Sequence, residues 1–159
     1  MNTVIQSVWP LVLSRYSGQK SVIFGLLVSG RPPELEGVEK IVGMFLNTVP
    51  FRVTVDNDLS VGEWLRQIHS TRSELQRYEH SPLMMVQQLS KIPAGKPLFN
   101  SIVARKDITQ SAGTSRRPSR GSRGSKKSEQ STFQQNYPIL LNITAGEGIE
   151  LKITYDARK

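Results

Sequence analysis

Apolar residues recur along this chain with two different spacings, so the sequence predicts both helices and strands. Over residues 2–16 they are spaced by one, three and four positions, which is typical of a helix with one buried face. Pro10 interrupts this pattern and predicts a kink, a frayed first turn or a helix that begins near Trp9, because proline removes a backbone donor. Ser17 and Gly18 indicate where the helix ends.

Three later segments have the pattern of strands. Residues 22–28 are almost continuously apolar, which predicts a strand covered on both faces. Over 49–55 every second residue is apolar, and Pro50 favours a sheet edge or a bulge because it cannot donate to a ladder. Residues 99–104 predict a further strand.

The C-terminal part predicts a β-hairpin. Residues 139–143 and 149–155 flank a turn that contains two glycines. The second strand alternates strictly between apolar and polar residues, so its apolar face is expected to be buried. That face consists of Ile149, Leu151, Ile153 and Tyr155.

Two helices are predicted after residue 60. Ser60 and Glu63 form the sequence signature of a capping box, which marks a helix start. The stripe expected to face the core is Val61, Trp64, Leu65, Ile68, Leu75 and Tyr78. Ser81 and Pro82 predict a second helix, with the serine hydroxyl as its cap. Its inward residues are expected to be Leu83, Val86 and Leu89.

A short helix-like piece is also expected over 36–45. Helices and strands are therefore mixed without strict alternation along the chain. This order predicts an α/β or α+β fold, with a mixed sheet and flanking helices.

Charge is concentrated in one segment. The chain has 159 residues, with 21 Lys and Arg against 13 Asp and Glu, a formal charge of +8. Six of those cations and no acid lie in 111–128, which leaves 8 − 6 = +2 for the remainder. Residues 107–135 are rich in serine, glycine, arginine and lysine, which predicts a disordered segment. Phe133 is the only aromatic residue of this segment. We favour a solvated linker over a nucleic-acid arm, because no aromatic residues alternate with the basic ones to stack on bases.

Catalytic chemistry has little support in the residues alone. The chain has no cysteine, which excludes disulfides, thiolate nucleophiles and thiolate metal sites. His69 and His80 are the only histidines, and their spacing matches no metal-binding pair, so a structural role is expected for each. No serine elbow, phosphate loop or dinucleotide motif is present. We therefore predict no catalytic, cofactor or metal residue.

Asp56 and Asp58 flank Asn57 in a sequence typical of a turn. A calcium loop that began at Asp56 would need a glutamate at its twelfth position, where this chain has Gln67. Calcium binding is therefore not expected. No apolar run approaches the length of a membrane span and no secretory signal is seen, so we expect a cytoplasmic location.

Several stretches, taken in order, resemble the C-terminal half of the condensation domain of nonribosomal peptide synthetases. The resemblance spans 3–106 and 136–157. The matching stretches are L-S-R-Y-S-G at 13–18, V-I-F-G through G-R-P at 22–32, G-V-E through V-G-M-F-L-N-T-V-P-F-R-V at 37–53, Y-E-H-S-P-L at 78–83, K-P-L-F-N-S at 96–101 and N-Y-P at 136–138.

This resemblance implies the C-terminal lobe of a fold like that of chloramphenicol acetyltransferase, in which two lobes form a V around a tunnel. The family joins an acyl and an aminoacyl group that carrier proteins hold on phosphopantetheine arms, and no cofactor is bound directly. It implies a peptidyl carrier protein and an N-terminal condensation lobe as partners. By the same resemblance, Asn47 lies on the tunnel wall and is a candidate for holding a carbonyl or an amine. The alternative for Asn47 is a turn-stabilising role before Pro50.

The family's histidine motif, H-H-x-x-x-D-G, belongs to the N-terminal lobe and is missing from this chain. We therefore expect a partial condensation domain over 1–159 that is inactive alone, and whether the chain itself acts as an enzyme stays open. Across about 107–130 the family's apolar alternation is missing, for which a changed reading frame is one hypothesis. The start inside a family helix suggests a gene fragment. The alternative function is a non-catalytic interaction protein whose basic arm binds nucleic acid or acidic partners.

Overall fold

A computed structural model describes residues 2–29, 35–43, 45–93, 95–107, 137–145 and 148–157. Three α-helices and five strands occur in these ranges. The helices are α1 (Asn2–Ser17), α2 (Val61–Gln76) and α3 (Leu83–Leu89), and the strands are β1 (Ser21–Ser29), β2 (Leu46–Thr54), β3 (Ser101–Asp107), β4 (Ile139–Ala145) and β5 (Ile149–Tyr155). Within the same ranges, no helix is both long and apolar enough to cross a bilayer.

The strands form one mixed sheet in the order β2-β1-β3-β4-β5. The pairs β1–β2 and β4–β5 are antiparallel, whereas β1–β3 and β3–β4 are parallel. β1 and β2 pair along their whole length, from Ser21 opposite Thr54 to Ser29 opposite Leu46. By contrast, β1 meets β3 at only two positions, Gly25 opposite Ile102 and Leu26 opposite Val103. The mixed sheet with flanking helices confirms the predicted fold class.

The core lies between one face of the sheet and the helices α1 and α2. Phe24 on β1 and Phe51 on β2 are fully buried there, with ring centroids 5.4 Å apart in an edge-to-face arrangement. The other buried members of this core are Trp9, Val22, Leu26, Val28, Val49, Val53, Val55, Trp64, Ile68, Val103, Leu141 and Ile143. This cluster spans four of the five strands and both longer helices, so it connects most of the described fold.

Two tryptophans tie the helices to each other and to the sheet. The Trp9 indole N–H on α1 donates to Ser101 Oγ on β3 over 3.3 Å. The Trp64 indole N–H on α2 donates to the backbone carbonyl of Ser7 over 3.2 Å. Both indoles are buried, and each therefore satisfies its one polar hydrogen inside the core.

Pro10 lies inside a helix that runs without a break from Asn2 to Ser17. The predicted late start near Trp9 is therefore wrong. Pro10 and Trp9 are both buried. The free energy gained by packing α1 on the sheet therefore outweighs the loss of the one helix hydrogen bond that proline cannot donate. The predicted end is confirmed, because Gly18 takes a left-handed φ of 69° and its N–H bonds to Ser14 O.

The capping box of α2 is confirmed. Ser60 Oγ accepts a hydrogen bond from the Glu63 N–H, and the Glu63 carboxylate accepts one from the Ser60 N–H over 3.0 Å. The inward stripe of α2 is only partly as predicted. Trp64 and Ile68 are buried, but Val61 and Tyr78 at the two ends of the stripe are exposed, and Tyr78 lies beyond the end of α2 at Gln76.

Four other expectations need correction. The start of α3 is not capped by the Ser81 hydroxyl, because the cap position is Pro82, which lacks a side-chain donor or acceptor. Leu89, which was expected to face inward, is exposed, and no described residue of α3 is fully buried. Within the described part of 36–45 there is only a 3-10 turn, Val38–Lys40. The strand β1 is fully buried on its helix face, but Ile23 and Leu27 on the reverse face are only half-buried.

The hairpin of β4 and β5 is confirmed, but its predicted buried face is not. The four residues of that face are all exposed: Ile149, Leu151, Ile153 and Tyr155. The core that α1 and α2 cover extends to Leu141 and Ile143 on β4, and β5 lies on the far side of β4. Pro50 lies on β2, which is an edge strand of the sheet among the described residues, as predicted. The segment predicted to be disordered, 107–135, lies outside the described residues except for Asp107, which ends β3.

Candidate functional site

Asn47 lies near the start of the edge strand β2, opposite Val28 of β1. Its side chain is half-buried, and Nδ2 donates to two backbone carbonyls, Glu79 O over 2.7 Å and Ser81 O over 3.0 Å. The Oδ1 atom accepts from the N–H of Thr48 over 2.9 Å. Both amide hydrogens are therefore used inside the protein, and the side chain clamps the α2–α3 loop onto β2.

The α2–α3 loop, residues 77–82, also carries hydrogen bonds of its own. The N–H of Tyr78 donates to Leu75 O over 2.9 Å, and the N–H of Ser81 donates to Tyr78 O over 3.0 Å. These bonds continue the last turn of α2 into the loop. With the clamp from Asn47, they fix the backbone of the loop at one end of the β1–β2 ladder.

An ion pair connects this loop to α2. Arg72 Nη2 on α2 is 2.5 Å from Glu79 Oε1, and both side chains are largely buried. Glu79 Oε1 and Arg72 Nη1 are both buried and have no hydrogen-bond partner within the described ranges. The attraction between the two charges therefore holds the loop against α2, while part of their hydrogen-bonding capacity is unused.

The two histidines differ in position. His80 lies on the clamped loop, between the two residues whose carbonyls Asn47 binds. His69 is exposed on α2, about two turns before its end, where its Nδ1 lies 3.4 Å from Ser73 Oγ. The fold thus brings His80 into the region of Asn47 and leaves His69 on the outer surface of α2.

Asp56 and Asp58 lie beyond the end of β2, at the opposite end of the β1–β2 ladder from Asn47. Asp56 Oδ1 accepts from the Asp58 N–H over 3.0 Å, which is the local hydrogen bond of a turn. In the ranges that the structure covers, no three acidic, histidine or cysteine residues are grouped as metal ligands. The turn and Asn47 are separated by the ladder, about 27 Å for nine residue pairs.

An open hollow of about 730 Å³ lies at that same far end. It is formed by the end of α1 and the end of β2, with the exposed side chain of Tyr16 at its rim and Asn57 in its lining. Because it is at the far end of the ladder, it does not belong to the region around Asn47.

Three of the sequence stretches noted above meet on the reverse face of the sheet. Phe99 and Tyr137 stack with ring centroids 5.1 Å apart, and burial raises the pKa of Tyr137 above its usual value near 10. The Phe99 ring packs directly on Gly25, where a Cβ atom would lie only 2.5 Å from the ring. Gly25 is therefore needed for close contact with an aromatic side chain rather than for an unusual φ.

The amide clamp, the ion pair and the aromatic stack were not expected from the sequence. Each joins residues that are not neighbours in the chain, and Asn47 and Glu79, for example, are 32 positions apart. The stretches that contain Asn47, His80, Gly25, Phe99 and Tyr137 were singled out only because they resemble a family's ordered motifs.

The comparisons with known proteins give the family. The family model described as "Condensation domain" matches residues 1–159. The chain therefore belongs to the condensation-domain family, as the resemblance indicated.

Similar proteins include large peptide synthetases. One of the subunits of linear gramicidin synthase from Brevibacillus parabrevis is 37% identical over 98% of this chain, which corresponds to 3% of that protein. Malpinin synthetase of Mortierella alpina is 36% identical over 85% of this chain and 2% of that protein. The chain thus spans only a small part of the curated relatives that it matches.

Solved structures show the same fold. The structure entitled "The crystal structure of holo T3CT" has a TM-score of 0.74 and 22% identity, over 99% of this chain and 36% of that chain. The starter condensation domain of rhizomide synthetase has a TM-score of 0.64 and 14% identity, over 97% of this chain and 36% of that chain. At these identities the likeness establishes the fold, and about a third of each solved chain corresponds to this one.

Proposed function

We propose that this chain is the C-terminal lobe of a condensation domain from a nonribosomal peptide synthetase. The complete domain would join an acyl group and an aminoacyl group that two carrier proteins hold on phosphopantetheine arms. Carrier proteins and an N-terminal lobe are therefore its proposed partners, and the cytoplasm its proposed location. No cofactor is assigned to the chain itself.

One observation carries this proposal. The condensation family model matches the whole chain, yet this sequence contains no H-H-x-x-x-D-G and no adjacent histidines. The order of the other family stretches along the chain supports the C-terminal half.

The chemistry explains why this chain alone would be inactive. The amine nitrogen attacks the thioester carbonyl, the C–N bond forms, the C–S bond breaks, and the amine proton ends on the leaving thiol. That transfer needs a base with a pKa near neutrality at the reacting nitrogen. His80 and His69 stand on separate elements, and neither has a carboxylate partner that would orient it in the described contacts. We therefore assign the base to the N-terminal lobe.

Asn47 has a specific role in this proposal. Since both of its amide hydrogens are donated to Glu79 O and Ser81 O, it has no free donor for a substrate carbonyl. We propose that it acts by holding the loop 77–82 as part of the tunnel wall. It is thus a positioning residue.

A turnover assay with charged carrier proteins tests the proposal. This chain alone and an N-terminal lobe alone should each give no amide product, and the two together should give it. Amide formation by this chain alone would refute the assignment of the base. If the two lobes bind each other but stay inactive together, the proposed division of the domain is wrong.

A matched pair of variants tests the role of Asn47 in the mixed-lobe assay. Asn47→Ala should lower turnover about tenfold or more, because a small displacement of a tunnel wall misaligns the reacting groups. Asn57→Ala, in the hollow at the far end of the ladder, should leave turnover unchanged. Equal turnover of both variants would exclude a positioning role.

A further inference from the structure

Two separate contacts hold the loop 77–82 at one residue, Glu79. Its backbone oxygen accepts a hydrogen bond from Asn47 Nδ2 on β2 over 2.7 Å. Its side-chain Oε1 lies 2.5 Å from Nη2 of Arg72 on α2. The loop is therefore attached to the edge strand through its backbone and to the helix through a side chain.

The contact with Arg72 constrains the loop in a way that its hydrogen bonds do not. Both bonds from Asn47 start at the same nitrogen, Nδ2, so on the β2 side the loop is held at a single point. The backbone N–H groups of residues 77–79 donate only to residues 74–76, the last turn of α2. Arg72 lies before that turn, and its charge therefore fixes Glu79 at a second, more distant point of the helix.

The ion pair is a poor source of stability. Its side chains are only 24% and 15% exposed, and the buried atoms Arg72 Nη1 and Glu79 Oε1 have no hydrogen-bond partner within the described ranges. Burial of two charges has a desolvation cost that is offset only when their remaining polar atoms are also satisfied. Well-packed apolar residues of similar volume often give equal or greater stability. The pair is therefore better explained by its effect on the loop than by a contribution to the free energy of unfolding.

We propose that Arg72 and Glu79 are positioning residues of the condensation reaction, which set the orientation of the loop 77–82 and contribute little to stability. This inference rests on the proposed function, in which the loop is part of the tunnel wall. The pair acts on the loop from α2, while Asn47 acts on it from β2. Loss of either attachment should therefore misplace the same segment of the wall, and loss of both should lower turnover little more than loss of one.

An apolar replacement of the pair separates positioning from stability. In Arg72→Met with Glu79→Leu, side chains of similar length remain without their charges, and the urea unfolding midpoint should equal or exceed that of the unmodified chain. With an N-terminal lobe and charged carrier proteins, kcat should nevertheless fall about tenfold or more. The carrier-protein concentration that gives half-maximal rate should not change, because the pair is largely buried. Arg66→Met with Glu74→Leu, the same changes at exposed positions of α2, should leave the unfolding midpoint and kcat unaltered.

Amide hydrogen exchange on this chain alone gives a readout that does not depend on turnover. The N–H of Ser81 donates to Tyr78 O inside the loop, and in the apolar variant it should exchange about tenfold faster. The N–H of Trp64, which donates to Ser60 O at the other end of α2, should exchange at an unchanged rate.

Combination with Asn47→Ala tests whether the two attachments act on the same segment. The triple variant should have a kcat within about threefold of the slower of the apolar variant and Asn47→Ala. If the two effects on kcat multiply in full, the attachments act on different parts of the protein, which would contradict the proposal.

Four further results would overturn it. Full turnover by the apolar variant would show that packing alone positions the loop, and a markedly lower unfolding midpoint would show that the pair stabilises the fold. Unchanged exchange at Ser81 would show that the pair does not hold the loop. If the unmodified lobes together give no product, the proposed function fails and the pair has no role in it, whereas the exchange rate of Ser81 still shows whether the pair holds the loop.

Discussion

Gly25→Ala adds one methyl group at the most crowded of the described glycines. The new Cβ would lie 2.5 Å from Phe99 Cε2, 2.9 Å from Phe99 Cζ and 2.9 Å from Thr48 Cγ2. Real Cβ atoms do not approach other carbon atoms so closely, so β1 or the Phe99 ring must shift. Overpacking of this kind costs about 1–3 kcal/mol. We therefore expect the free energy of unfolding to fall by about that amount.

Gly62→Ala provides the matched control, since it is the same chemical change with a different environment. Gly62 lies in the first turn of α2, and a Cβ added there would have Arg66 Nη2 as its nearest neighbour, at 3.8 Å. Alanine is the better helix former by about 0.5–1 kcal/mol. Gly62→Ala should therefore leave stability unchanged or raise it, whereas Gly25→Ala should lower it.

Urea unfolding followed by circular dichroism gives both values. The variant Phe99→Ala and the double variant Gly25→Ala with Phe99→Ala complete a cycle. If the crowding comes from the Phe99 ring, the double variant should be more stable than the sum of the single effects predicts, by about 1 kcal/mol or more. A Gly25→Ala protein as stable as the unmodified chain, or strictly additive effects, would refute the close contact between β1 and Phe99.

Three other predictions concern single side chains. Asn47→Ala should lower the free energy of unfolding by about 1–3 kcal/mol. Asn47→Asp should lower it further, because a carboxylate would face the two carbonyl oxygens of Glu79 and Ser81. Equal unfolding midpoints of the two variants would contradict this. Burial raises the pKa of Tyr137, so the folded state favours the neutral phenol. This contribution to stability is complete below pH 10 and is lost as the pH rises from there through the folded-state pKa. Tyr137→Phe should abolish this loss, whereas Tyr16→Phe, a change at an exposed tyrosine, should not. Hydrogen bonds from the Ser60 side chain and backbone lower the pKa of Glu63. The resulting contribution to stability is complete above pH 4.5 and is lost as the pH falls through the lowered pKa. If Glu63→Gln has the same acid transition as the unmodified chain, this contribution is excluded.

Local chemistry in the sequence predicted local structure well. The capping box of Ser60 and Glu63 and the helix end at Gly18 involve residues at most four positions apart. Their geometry is therefore set by the nearby chain alone. Pro50 was also informative, because the missing N–H restricts where in a sheet it can lie.

Contacts between distant segments were not predictable in this way. The alternation in β5 correctly indicated which residues share a face, but it could not say what covers that face, which depends on how far α1 and α2 extend over the sheet. The clamp from Asn47 to Glu79 O and Ser81 O depends on the placement of a loop more than 30 residues away. Only the resemblance to ordered family motifs drew attention to Asn47, and it gave no information about these partners.

We expect the short junction between β1 and β3 to divide the sheet into two units that open separately, although both contribute to one core. Only two residue pairs join them, so the three strands β3, β4 and β5 can separate from the β1–β2 pair at the loss of few backbone hydrogen bonds. The Trp9 indole bond to Ser101 and the Phe99 ring on Gly25 act across this seam from opposite faces of the sheet. Amide hydrogen exchange should therefore be slower and more uniform within each unit than at the residues that join β1 to β3. A substitution that weakens either aromatic contact should let the amide hydrogens of the two units exchange with different free energies of opening.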